Sequence, residues 1–378
     1  MTAALPLAGT VVLDVSRMLP GAVLVRNLVD LGARVVKIED PHTGDPMRVT
    51  PPLLGGTGVG FLTYFRGVES VTLDLKSPWG AAALRKMARH ADVLLESFRP
   101  GTLERWDLGY ERLASQNPGL VVVSLSSFGS EGPEAGRIGH DLNFTALTGF
   151  LSELPAGDLP RVQVADVAAG LLAVSSTLAA LLQRHRTGRG VHVEQALVSG
   201  PLPFLAWSFA ELAAGGGGVL DGILAGKSPG YRTYACSDGG RVALGAIEPK
   251  FWAALCEMAG IPEHAGDGLD TGDPGADAAA RLAAAFGSRP RADWLTLAET
   301  LGIPLTPVND LAAAREDLAS RMERTSVPGG GSVETPAAFL GFPGLRRPHA
   351  PAPALGADTS RVLHELGFSP DEIGAVSG

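Results

Sequence analysis

Apolar and polar positions alternate between two periods along the first half of the chain. Residues 10–15 form an apolar, β-branched run, the pattern of a buried strand. Residues 20–31 then place Val23, Leu24, Leu28 and Leu31 at helical spacing and stop at Gly32. Residues 34–38 return to the strand pattern, which makes a βαβ unit with short connections. The alternation continues with strands at 70–75, 92–96 and 120–126 and a helix at 78–90. Repeated units of this kind predict an α/β fold with a Rossmann-like parallel sheet covered by helices.

A long helix follows at 166–184, broken by Thr187-Gly188-Arg189-Gly190, and a strand at 191–196. Turn formers then dominate, beginning with Gly215–Gly218. The expected division is a large domain over 1–214, a linker at 215–230, a small α+β domain over 231–328, and a segment at 329–378 returning to the large domain. Within the small domain, residues 231–246 form a strand pair around Asp238-Gly239-Gly240, helices follow at 250–259 and 276–286, and 266–275 is a surface loop. Residues 332–353 are Pro-rich and extended, and a last helix spans 359–366.

Composition narrows the function. Of 378 residues, 45% are hydrophobic and 19% charged, which excludes a disordered chain, and a net charge of −9 argues against nucleic acid as partner. Two cysteines, without motif spacing, fit a reducing compartment, and a cytoplasmic location is expected. Residues 1–13 lack the basic start of a signal peptide. The uncharged stretches 167–183 and 195–210 carry Ser, Thr, Pro or Gln, so no membrane span is expected. The first βα turn reads Met18-Leu19-Pro20-Gly21-Ala22 and lacks G-x-G-x-x-G, which disfavours a nicotinamide dehydrogenase; no P-loop, H-E-x-x-H or G-x-S-x-G is present.

Several ordered stretches resemble the family III CoA-transferases. They are Leu13-Asp14, Pro20-Gly21-Ala22, the run from Leu31 to Glu39, Gly44-Asp45-Pro46-Met47-Arg48, Leu73-Asp74-Leu75-Lys76 and Glu96-Ser97-Phe98-Arg99-Pro100-Gly101. Asn117-Pro118, Gly132-Pro133, Arg186-Thr187-Gly188-Arg189-Gly190 and the tail from Leu355 to Gly367 continue the likeness over nearly the whole chain. Gly139-His140-Asp141-Leu142-Asn143 and Gly245-Ala246-Ile247-Glu248-Pro249-Lys250-Phe251 are similar to the α-methylacyl-CoA racemase branch.

The resemblance implies an interlocked homodimer, acyl-CoA as substrate and no separate cofactor or metal. It implies His140 and Asp166 as catalytic acid/base residues, with Glu248 pairing with the His and Asp141 in support. Lys37, Glu39, Arg48, Arg66 and Arg99 are the implied contacts to CoA. Asp166 also stands where an N-cap would, and amides of the helix behind it are expected to serve an enolate oxygen. The chemistry suits these types: epimerising the carbon next to a thioester needs one base on each face, and His titrates near neutrality. The alternative is a CoA-transferase in which Asp166 attacks the thioester; a third reading is a non-catalytic acyl-CoA-binding protein. The chain departs from the family pattern at Val68-Glu69, where basic residues are usual, and at Val162, where racemases tend to carry Asn.

Overall fold

The computed structural model describes residues 5–155, 157–216, 218, 220–345 and 349–377. The parts of the sequence readings that fall on 1–4, 156, 217, 219, 346–348 and 378 lie outside the described residues. The chain forms two compact units, Met1–Leu205 with Ser320–Gly378, and Ala206–Ala319.

The first unit is built from β1 (Val11–Asp14), α1 (Met18–Asp30), β2 (Arg34–Glu39), β3 (Glu69–Thr72), α2 (Pro78–Ala88), β4 (Val93–Glu96), β5 (Val121–Ser126), α3 (Asp141–Leu147), α4 (Val164–Thr187) and β6 (His192–Ala196). Its six strands lie in the order β3-β2-β1-β4-β5-β6, and every pair is parallel. This is the doubly wound order, whose switch point falls between β1 and β4. The two-residue period of each strand sends alternate side chains to opposite faces. Val12, Val35, Val93 and Val121 pack with Leu24, Leu28 and Ala173 of α1 and α4. Leu13, Val36, Leu94 and Val122 pack with Leu84 and Met87 of α2 on the other face.

α4 is 24 residues and, by length and composition alone, apolar enough to cross a membrane. Its small residues Ala165, Ala169, Gly170 and Ala173 are buried, and the helix packs against α1. Gly188, at φ +70°, closes it in the left-handed conformation, where glycine carries no Cβ penalty. After it, α5 (Leu202–Ala213) runs from the first unit into the second.

In the second unit, β7 (Tyr231–Ala235) and β8 (Arg241–Gly245) pair antiparallel around Asp238-Gly239-Gly240. Helices α6 (Pro249–Ala259), α7 (Asp273–Phe286) and α8 (Arg291–Leu301) follow, and β9 (Leu305–Pro307) adds antiparallel to β8. Their core holds Trp252, Leu255, Leu282, Phe286 and Trp294. α7 begins at Asp273, inside the stretch expected to be loop.

The chain returns to the first unit with the antiparallel pair β10 (Met322–Ser326) and β11 (Ser332–Pro336). α9 (Thr359–Glu365) sets Val362 and Leu363 into the second-face core, and α10 (Pro370–Ser377) follows where the sequence pattern predicted no further helix.

Candidate functional site

Parallel strands deliver their C-terminal ends to one edge of the sheet, and the turns that leave β1, β4 and β5 flank the switch point. A cleft of about 190 Å³ lies there. Arg17 and Met18 leave β1, Ser97, Phe98 and Arg99 leave β4, and Ser127, Phe128 and Gly129 leave β5 to line it. The cleft is completed by Arg137, His140, Phe144 and Asp166.

His140 immediately precedes α3. Its backbone N–H donates to Asn143 Oδ1 at 3.0 Å, and its carbonyl accepts the Asn143 and Phe144 amides. Phe144 is fully buried and anchors the helix edge-on against Phe128, while the imidazole one turn earlier is exposed. A Cβ on Gly139 would come within 2.7 Å of the Phe144 ring, so glycine lets the chain pass close beneath His140.

Asp166 is not the N-cap of α4. The helix starts one residue after Gln163, and Asp166 stands third in it. Its own backbone N–H donates to Asp141 Oδ1 at 3.0 Å, joining α3 to the first turn of α4. That amide is therefore already bonded and is not free for an enolate oxygen. Gln163 Nε2 donates to Asp166 Oδ2 at 3.0 Å. Burial pushes the Asp166 carboxyl up to about 6; the nearby Asp141 adds to the rise, and His140 and Gln163 oppose it.

Glu248 belongs to the second unit, where it is exposed and precedes α6. Its carbonyl accepts the amides of Phe251 and Trp252.

The five residues implied as CoA contacts separate by burial. Lys37 is 1% exposed; its Nζ bonds Asp14 Oδ2 at 3.1 Å and the Ser16 carbonyl at 3.0 Å, and pairs with Asp45 at 2.9 Å. Burial works to lower its pKa, but the charges of Asp14, Asp45 and Glu39 prevail and the net direction is up. Glu39 forms a bidentate pair with Arg48, at 2.7 and 2.8 Å, and accepts the Ser70 hydroxyl. Arg66, 1% exposed, reaches Thr325 Oγ1, the Pro336 carbonyl and Glu323. Arg99 is the exposed cation of the five, on the wall of the cleft.

Two exposed cations absent from the sequence reading, Arg17 and Arg137, join it. Arg17 stacks over Phe98, 5.3 Å from the ring centre, and Arg137 over Phe128 at 4.8 Å. Arg17 and Phe98 also line a second, narrow cleft of about 30 Å³, together with Lys76, Leu73, Leu75, Trp106, Lys37 and Glu39. Arg17 was legible as a cation directly after the first strand; nothing in the glycine-rich stretch around Arg137 marked it.

The comparisons with known proteins agree with this geometry. A family model described as CoA-transferase family III matches residues 7–359. The chain is 32% identical to human alpha-methylacyl-CoA racemase, over 97% of this chain and 95% of that one. It is 30% identical to mouse succinyl-CoA:glutarate CoA-transferase, over 96% and 86%. It is 33% identical to the acetyl-CoA:oxalate CoA-transferase of Acetobacter aceti, over 91% of each. Among solved structures, a CAIB/BAIF family protein from Brucella suis superposes with a TM-score of 0.82 at 29% identity, covering 96% of this chain and all of that one.

Proposed function

The chain belongs to CoA-transferase family III, and from that premise we propose that it epimerises C2 of a 2-methylacyl-CoA, or a related acyl-CoA thioester, by 1,1-proton transfer. The observation that carries the reading is the presence of His140 and Asp166 on one cleft, with the Asp166 carboxyl raised to about 6. A carboxyl near 6 exchanges protons near neutrality, as one of two opposed acid/base groups requires.

In this scheme one group removes the α-proton and the electron pair passes to the thioester oxygen as an enolate. The protonated partner on the other face returns a proton to C2, and the C–H bond reforms with inverted configuration. The thioester is substrate, and no electron leaves the system. Arg17, Arg99 and Lys76 are the proposed phosphate contacts, because they are exposed cations of the two clefts that share Arg17 and Phe98, whereas Arg137, also exposed, is paired with Glu134. The Phe98–Trp106 pair, 5.1 Å apart, offers an aromatic wall for a purine.

We further propose a homodimer in which Glu248 of one chain orients the imidazole at His140 of the other. Leu142 and Leu147 on α3, Leu171 on α4 and Phe204 on α5, each more than 40% exposed, supply apolar surface that a second copy would cover.

A second reading has support of its own, since transferases match at nearly the same identity as racemases. Asp166 would then attack the thioester carbonyl, expel CoA as thiolate and form a mixed anhydride. One experiment separates the two. A single epimer of a 2-methylacyl-CoA is incubated with enzyme in D₂O without free acid. The isomerase incorporates deuterium at C2 as configuration is lost. A transferase leaves the α-hydrogen in place and requires an acceptor acid, and that result overturns the first reading.

A further inference from the structure

We propose that Gln163 is a positioning residue for Asp166: its side-chain amide holds Oδ2 of the carboxylate, so that the proton is exchanged at Oδ1. The inference rests on the acid/base role assigned to Asp166 above.

Gln163 occupies the residue before α4, where Ser, Thr, Asp or Asn would cap the helix better. Its side chain makes no capping bond. Instead it reaches the carboxylate three residues on, and Nε2 donates to Oδ2 at 3.0 Å. A residue poorly suited to its helix position but bonded to the reacting group serves the site rather than the helix.

On the other side of Asp166, Asp141 Oδ1 accepts the Asp166 backbone N–H at 3.0 Å, bringing a second carboxylate next to the first. The two neighbours therefore act in opposite senses. The amide donor favours the ionised carboxylate, and the like charge of Asp141 disfavours it. The remaining charged groups of the first unit that line this cleft are His140, Arg17, Arg99 and Arg137.

The test uses full-length enzyme and two substitutions close in size to the originals, Gln163→Met and Asp141→Asn. The Asp166 carboxyl is titrated by carbon NMR on aspartate-labelled protein, its signal identified by its loss in Asp166→Asn. In parallel, α-proton exchange from each epimer of a 2-methylacyl-CoA is followed against pH. Gln163→Met moves the titration above about 6, and Asp141→Asn moves it below. Exchange from the epimer served by Asp166 falls several-fold at pH 6 in Gln163→Met and recovers at alkaline pH, where the carboxyl is ionised in both proteins. A merely structural role would lower exchange equally at all pH values. Should Gln163→Met not fold, Gln163→Glu gives the same upward displacement, because a carboxylate replaces the donor. An Asp166 titration unmoved by loss of the Gln163 amide, or displaced in the same direction by both substitutions, overturns the proposal. Absence of α-proton exchange in the unmodified enzyme overturns the isomerase reading instead, and the NMR titration still decides the role of Gln163.

Discussion

Glu96 ends β4 with 7% of its surface exposed, and its Oε2 accepts the Phe98 amide at 2.7 Å. Burial pushes its carboxyl up to about 7; Ser124 and the Phe98 amide oppose the rise, and Glu104 and Glu194 add to it. Because the folded-state value lies above the ordinary carboxyl value, the folded protein binds the proton more tightly than the unfolded chain does. That stabilisation is complete below about 4.5 and is lost as pH rises through about 7. Glu96→Gln, which keeps an acceptor for the Phe98 amide, is therefore expected to gain on the native protein over this window, by up to ~3 kcal/mol at pH 8. Urea unfolding of both proteins at pH 5 and pH 8 measures the gap; parallel pH profiles would sink the prediction. The sequence marked Glu96 only as part of a likeness, since neither its burial nor Glu194 two strands away is visible in a linear pattern. His140 and Asp166 were legible because each stands in a distinctive short motif. The internal pairing of Lys37, Arg48 and Arg66 was not, because burial of a cation depends on carboxylates brought from elsewhere in the fold.

Elements with a clean period were the readable ones. β1, α1, β2 and β4 fall within two residues of their expected limits, since each is an apolar run closed by a turn former or a charge. Several of the elements missed were short or of mixed polarity. β9 is three residues, and β10 reads Met-Glu-Arg-Thr-Ser, gaining its ladder only from pairing with β11. Gly170 shows a packing demand that the period alone does not reveal. In a helix it costs ~1 kcal/mol relative to alanine. Yet a Cβ there would lie 2.8 Å from the Pro20 carbonyl oxygen and 2.9 Å from Val23 Cβ, both on α1. Gly170→Ala is thus expected to destabilise by ~1–3 kcal/mol through overpacking, against its propensity. Because Asp166 lies one helical turn earlier, the displaced helix should also slow α-proton exchange. Thermal melts and exchange rates of the variant check both, and a variant more stable than the native protein would show that α1 yields freely.

At the scale of the molecule, the sequence pattern places a boundary at the glycine run after 214, whereas the second compact unit begins at Ala206, within α5. That helix carries Phe204, Trp207 and Phe209 without a charged residue between them, so nothing in its pattern signals the change of unit. The proposed shared site is a property of the whole molecule. His140 and Asp166 belong to the first unit and Glu248 to the second. If Glu248 serves the neighbouring chain, a mixed dimer of His140→Ala and Glu248→Gln chains collects both lesions in one site and leaves the other intact. Removal of a positioned acid or base costs ~10²–10⁴-fold, so each homodimer is nearly inactive. The mixed dimer, isolated with two affinity tags, is then expected to show about half the activity of the native protein. If Glu248 serves its own chain, every site in the mixed dimer carries one lesion and activity stays at the level of the parents. The second result, obtained with both parents folded and dimeric, would reject the shared site.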